Sequence, residues 1–319
     1  MKLTAIRDFQ ENTTIQGFFL CLEKRLRTTK TGDYYLDILL QDATGRIQGK
    51  IWDQVDHFRS QFESGDPIAA KGVVEKYGGA LQLSCTHVAR ATKERYGQYG
   101  FREELLIPTI QEDRRLLWKT LMELITGMKD KHLKGLLRHI FRTYKDTIMR
   151  LPASVSHHHP ERGGFLQHLV STGQIASMLA RHYPRIDGDL LLTGVLLHDI
   201  GMVRGISIGL EGGYTDDGHL IGHVVLGRDI LREAIQTVDK FPPELAIRLE
   251  HIIIGHQGSH VEGSPRPPKF PEALLTHLID RMDGRLDIMF REIDDDPGDD
   301  SYTDSRNLFR TPLWKNYRR

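Results

Sequence analysis

The hydrophobic period of this chain changes once, and that change constrains the fold more than any other feature. Through about residue 90 apolar side chains recur at every second position, and from Glu112 onward they recur every three or four. Over 34–40, Leu36, Ile38 and Leu40 alternate with Tyr35, Asp37 and Leu39. After a turn at 42–45, Ile47, Gly49 and Ile51 alternate with Arg46, Gln48, Lys50 and Trp52. Further strands are expected over 14–22, 68–75 and 81–88, and a short helix over 54–62. In the second part, Leu116, Leu117, Leu121, Leu124 and Ile125 mark a first helix. Others are expected near 131–144, 165–181, 189–199, 219–236, 243–254 and 271–293. Pro243 and Pro271 stand where helices begin, and Gly255 where one ends. The reading is a multidomain α+β chain: a strand-built unit over 1–91, a connector over 92–111, a helical unit over 112–293 and a polar tail over 294–319.

Five short strands with one helix between the third and fourth match the OB-fold, a small five-stranded β-barrel. The ligand face of such a barrel lies on strands two and three. Here that face carries Tyr35, Arg46, Gln48, Lys50 and Trp52, and the loops add Lys24, Arg25, Arg27 and Lys30 before strand two and Lys71, Lys76 and Tyr77 later. Aromatic rings stack bases, and cations follow the phosphate backbone. The same residues equally describe a solvated outer face with one stray tryptophan. The 43 Lys and Arg balance 43 Asp and Glu, which excludes a uniformly basic nucleic-acid wrapper and makes any such binding local. Two cysteines, Cys21 and Cys85, exclude a disulfide scaffold or a Cys-rich zinc site and are expected as buried thiols. No apolar run reaches the roughly 18 residues that span a bilayer, and the first residues lack an apolar signal segment. The expectation is a cytoplasmic protein with no membrane partner. The strand edges of a partly open barrel leave room for a homo-oligomer.

The chemistry is carried by the helical half, which holds most of the 16 histidines. His198-Asp199 closes the apolar run 190–197. A carboxylate at the end of a buried helix is costly unless it is paired or bound to a metal. Imidazole with carboxylate suits a divalent transition ion such as Mn²⁺, Fe²⁺ or Zn²⁺. Two adjacent residues cannot complete a site, so other helices must contribute. His168 follows Gly163-Gly164, His223 follows Gly222, His256 follows Gly255, and Asp280 interrupts an apolar run. Each taken alone is more often structural than a ligand. The ordered set, each member on a different expected helix, points to a metal site.

That set resembles the HD superfamily of metal-dependent phosphohydrolases, an all-α fold. The resemblance implies that His168, His198, Asp199 and Asp280 bind one ion, and that His223 and His256 bind a second with Asp199 bridging. The segments 158–168, 197–201, 254–258 with 263–265, 272–280, 37–45 and 50–52 are similar to the YhaM family, over roughly residues 3–290. Membership would imply a 3′→5′ exoribonuclease that trims short single-stranded RNA and acts on single-stranded DNA, with Mn²⁺ ahead of Fe²⁺, Co²⁺ or Zn²⁺, as one or two ions. His158, His159 or Arg162 would then protonate or neutralise the leaving 3′ oxygen. Two positions depart from the family pattern. Met202 stands where a lysine is usual, with Arg204 as a candidate replacement, and Gln257 stands where a second histidine is common. His251 could compensate, but it lies five residues before His256, about 140° around a helix. Two other readings remain at this stage. One is an HD-type nucleotidase or cyclic-nucleotide phosphodiesterase with an accessory barrel. The other is a nucleic-acid-binding protein whose HD site has decayed.

Overall fold

The computed structural model describes residues 3–154, 159–210, 212–296 and 298–317. The chain forms two compact units, Met1–Thr109 with Gly209–Gly212, and Ile110–Ile208 with Gly213–Arg319.

The first unit is a closed five-stranded barrel. Its strands are β1 (Thr14–Thr28), β2 (Tyr34–Asp42), β3 (Gly45–Ile51), β4 (Pro67–Tyr77) and β5 (Ala80–Arg90), with helix α1 (Val55–Arg59) between β3 and β4. Neighbours run β1-β2-β3-β5-β4, and β4 pairs back onto β1. Period-2 patterning explains the closure: Leu36, Ile38, Leu40, Ile47 and Ile51 all point inward with Ile15, Phe19, Ile68, Val74 and Leu83. Closure gives each strand two neighbours, although Glu23–Thr28 of β1 lies beyond the pairing with β4. β1 runs past the expected end at residue 22. Its charged second half is exposed but pairs in register with β2, Thr28 opposite Tyr34, across a bulge between Cys21 and Glu23. Cys21 and Cys85 are buried, and burial pushes both thiols up to about 12, which leaves them inert.

The connector is not featureless. It forms α2 (Lys93–Tyr96) and further short turns, and Phe101 and Leu106 are buried against Phe18, Leu20 and Ala91.

The second unit is helical: α3 (Arg114–Gly127), α4 (Lys131–Thr143), α5 (Lys145–Ile148), α6 (Gly164–His182), α7 (Gly188–Leu197), α8 (Met202–Gly205), α9 (Asp216–Leu220), α10 (His223–Ile235), α11 (Pro243–Gly255) and α12 (Pro271–Asp294). Every residue from Leu190 to Leu197 is buried, so α7 is the central rod. A helix that is apolar all round belongs in a core, and α7 packs on α4, α6, α11 and α12. Its start is held by Asp187, which caps Leu190 and donates its own amide to the buried Glu272 at 2.8 Å. The sequence predicts one helix over 219–236. The structure divides it, because Gly222 takes φ 82°, a value open to glycine and closed to a helix. The break makes His223 the first residue of α10. The tail folds back rather than trailing: Leu313 and Thr303 are buried, and Lys315 pairs with Asp296 at 2.7 Å. Among the described residues no helix is long and apolar enough to cross a membrane.

Candidate functional site

The end of α7 delivers His198 and Asp199 to the middle of the helical unit, where both are buried. The chain then turns at Gly201. A Cβ there would collide with the His223 carbonyl, so the turn can press against the start of α10 only as glycine. That contact brings His223 to Asp199. His168 enters from the second turn of α6, His256 from the end of α11, and Asp280 from the middle of α12.

These side chains form two adjoining groups. In the first, His168 Nε2 lies 3.4 Å from His198 Nε2 and 3.5 Å from Asp280 Oδ1, and His198 Nε2 lies 3.4 Å from the same oxygen. A point equidistant from these three atoms lies about 2.0 Å from each, the bond length that imidazole and carboxylate make to a small divalent ion. In the second, Asp199 Oδ1 lies 3.3 Å from His223 Nε2 and 3.2 Å from His256 Nε2. Asp199 faces both groups, since its Oδ2 lies 3.5 Å from His198 Nε2. Its Oδ1 is buried and accepts no hydrogen bond. An orphaned carboxylate oxygen ringed by imidazole nitrogens is costly as protein alone, and it suits a bound cation. The donor set therefore fits divalent metal ions.

The outer faces of the rings fix how the inner nitrogens point. His198 Nδ1 donates to the Val195 carbonyl at 2.8 Å, and His256 Nδ1 to the Ile253 carbonyl at 2.6 Å. His168 Nδ1 donates to Asp283 Oδ2 at 2.7 Å. Each bond turns Nε2 inward. Burial pushes His168 toward its neutral form, but Asp280 and Asp283 outweigh it and bring its pKa up to about 9. His198 is raised well above its usual value against the same burial, by Asp199 and Asp280. Burial opposes ionisation of Asp199 and Asp280 as well, yet the histidines hold both well below the carboxylate range. Burial lowers His223, leaving a neutral ring. A divalent ion held by the first group would compete with protons for these imidazoles.

Asp283 and Asp287 were not among the sequence-derived candidates. Asp283 accepts from His168 and from the Ser171 hydroxyl. Burial opposes its charge, but His159 and His168 hold it well below the carboxylate range. The signal was present: Asp280, Asp283 and Asp287 are spaced three and four apart, which puts all three on one face of α12. Asp283→Asn is expected to weaken ion binding about 10–100-fold, the usual effect of losing the carboxylate behind a ligating histidine. Equilibrium dialysis with Mn²⁺ checks this, and unchanged affinity would remove Asp283 from the site.

The candidates for leaving-group chemistry fall differently. His158 lies outside the described residues. His159 turns to the carboxylates of α12: its Nε2 lies 3.1 Å from Asp283 Oδ2, its Nδ1 lies 3.3 Å from Asp287 Oδ1, and its amide donates to Asp287 Oδ2 at 2.8 Å. The ring is thus engaged behind His168 rather than presented to a leaving group. Arg162 is buried. Arg204 does not supply the cation that Met202 lacks, because it pairs with Glu233 at 2.5 Å and with the Tyr144 hydroxyl at 2.8 Å. His251 Nε2 accepts the Lys269 amide at 3.0 Å and stays outside both groups. Gln257 reaches the second group, its Nε2 2.9 Å from His256 Nε2 and 3.2 Å from His223 Nε2.

On the barrel, Tyr35, Gln48, Lys50 and Trp52 line one groove of 340 Å³ with Tyr77, Ala80, Leu81 and Gln82. Tyr35 and Trp52 stack at 4.7 Å, and Lys50 Nζ lies 5.2 Å from the Tyr35 ring centre. Lys50 also pairs with Asp37 at 2.6 Å, and Arg27 with the same carboxylate at 2.8 Å. Burial opposes the charge on Asp37, but the Lys50 hydrogen bond prevails and holds its pKa below the usual range. The structure does not bring Arg46 or Lys71 into this groove. Arg46 bonds Gln41 at 2.8 Å, and Lys71 sits on β4 between Gln16 and His87. Outward alternation told which side of the sheet each residue takes, but a twisted closed barrel spreads its outward residues around the circumference.

Comparison with known proteins agrees with both halves. The HD domain model matches residues 165–285, and a model for an OB-fold nucleic acid binding domain matches 21–90. A helicase model also matches 108–183. The 3′-5′ exoribonuclease YhaM of Listeria monocytogenes serotype 4b is 30% identical over 288 residues, 88% of this chain and 88% of its own. The protein of that name from Bacillus velezensis is 30% identical over 281 residues, again 88% of each. That from Halalkalibacterium halodurans is 27% identical over 288 residues, 90% of this chain and 88% of its own. With both domains matched in order and that identity sustained across most of both chains, the protein belongs to the YhaM family.

Proposed function

We propose that the protein is a metal-dependent 3′→5′ exonuclease of short single-stranded RNA, with Mn²⁺ as its ion. The observation that carries this reading is the pair of His/Asp groups that share Asp199. Its relatives' name supplies the polarity and the RNA. Divalent ions bring the positive charge that a phosphodiester's non-bridging oxygens need, and they acidify water enough for attack near neutral pH. The chain's own residues do the rest. His168, His198, Asp199 and Asp280 hold the first ion, and Asp199, His223 and His256 the second. Asp283 keeps the His168 ring turned inward, and the His159 ring is a positioning group behind it. Burial of His168, His198 and His256 keeps bulk water from competing with these contacts. Tyr35 and Trp52 stack bases of the strand, while Arg27 and Lys50, shared with Asp37, leave one net positive charge for phosphate. Stacking needs no 2′-hydroxyl, so single-stranded DNA is a second substrate. The setting we propose is the cytoplasm.

The test is a gel. With Mn²⁺ and a 5′-labelled single-stranded RNA, the expected product is a shortening ladder that keeps its label. Intact RNA in a protein with confirmed bound metal would overturn the exonuclease reading. It would move the assignment to nucleotides or cyclic dinucleotides.

A further inference from the structure

Gln257 meets both imidazoles of the second group through its amide nitrogen. His256 donates from Nδ1 to the Ile253 carbonyl, so its Nε2 carries a lone pair. The Gln257 amide nitrogen lies 2.9 Å from that atom and 3.2 Å from His223 Nε2, within reach of the lone pair of each neutral ring. The same two nitrogens must face any ion held with Asp199. The amide donors and an ion therefore compete for one set of lone pairs. Turning the amide over by 180° exchanges Nε2 for Oε1 with little change of shape, and places an oxygen donor beside Asp199, His223 and His256.

We propose that Gln257 is an oxygen ligand of the second ion and that its amide must turn over to admit that ion. This rests on the two-ion reading above. Two consequences distinguish this chain from one with histidine at 257. The second ion binds about tenfold or more weakly than the first, because two hydrogen bonds are given up on entry. A carbonyl oxygen in place of an imidazole also favours harder ions, Mn²⁺ over Zn²⁺.

Mn²⁺ binding is measured by equilibrium dialysis, with electron paramagnetic resonance separating isolated from coupled ions, on the full chain and on Gln257→Leu, Gln257→Glu and Asp280→Asn. Circular dichroism melts verify folding of each variant. The expected result is two ions in the wild type, the second bound about tenfold or more weakly. Gln257→Leu, which removes donor and acceptor together, is expected to weaken the second ion by a further tenfold or so. Gln257→Glu, which keeps the oxygen and adds charge, is expected to tighten it. If Gln257 were only a plug, Gln257→Leu would leave the second ion unchanged or bind it more tightly, and that result overturns the proposal. Failure of the two-ion reading looks different: the wild type would then take a single Mn²⁺ at saturation, or binding would be insensitive to Asp280→Asn.

Discussion

Asp199→Asn is expected to slow trimming of 5′-labelled single-stranded RNA about 10³-fold or more, and excess Mn²⁺ is not expected to restore it. Among the described residues Asp199 is the one carboxylate that faces both groups, Oδ2 toward His198 and Oδ1 toward His223 and His256. Asparagine keeps the shape but loses the charge that would hold two cations side by side. Several kcal/mol of transition-state stabilisation depend on that charge, and each 1.4 kcal/mol or so is tenfold in rate. The contrast with Asp283→Asn is diagnostic. Asp283 acts through the His168 ring, so its loss is expected to be offset by raising Mn²⁺, whereas Asp199 would touch the ions themselves. Single-turnover rates at saturating Mn²⁺ make the comparison, with melting curves to confirm folding. A variant within tenfold of wild type would show that the shared carboxylate is not central to the reaction.

Trp52→Ala is expected to raise KM for oligonucleotides about 5- to 150-fold while leaving a small chromogenic phosphodiester untouched. The range follows from about 1–3 kcal/mol per stacked base. Trp52 is 44% exposed and stacks on Tyr35, so its ring is available along a groove that Tyr77, 76% exposed, continues. Lys50 is the weaker lever, because Asp37 already takes its charge at 2.6 Å. The small diester needs only the His/Asp groups. Parallel loss on both substrates would show that the ring supports the barrel rather than the strand, and no loss on either would remove the groove from substrate binding.

Sequence periodicity sufficed for the architecture because burial in a barrel follows period 2 and burial in a helical bundle follows period 3.6. Leu36, Ile38 and Leu40 turn inward and Tyr35 and Asp37 outward for that reason alone. The ligand candidates were legible for another reason. Each histidine or aspartate taken alone is more often structural, but their order along the chain, one helix after another, matched a known pattern. The direction of a side chain was not legible in the same way. His159, three residues from Arg162, reads in the sequence as part of a polar loop, yet its ring is set against Asp283 and Asp287, more than a hundred residues away. Arg204 lies five residues after Asp199 and still points to Glu233 and Tyr144.

The sequence by itself determined the two units and the inward and outward faces of the strands, and it singled out the six histidines and aspartates that the structure brings together, because each depends on local spacing or on residue chemistry. Only the tertiary structure decided that Asp199 faces both groups, that Asp283 stands behind His168, that Arg46 and Lys71 lie away from the aromatic groove and that Gln257 reaches two imidazoles. Those are relations between elements distant in sequence. They are set by how α6, α7, α10, α11 and α12 pack and by the twist of the barrel, which no local period encodes.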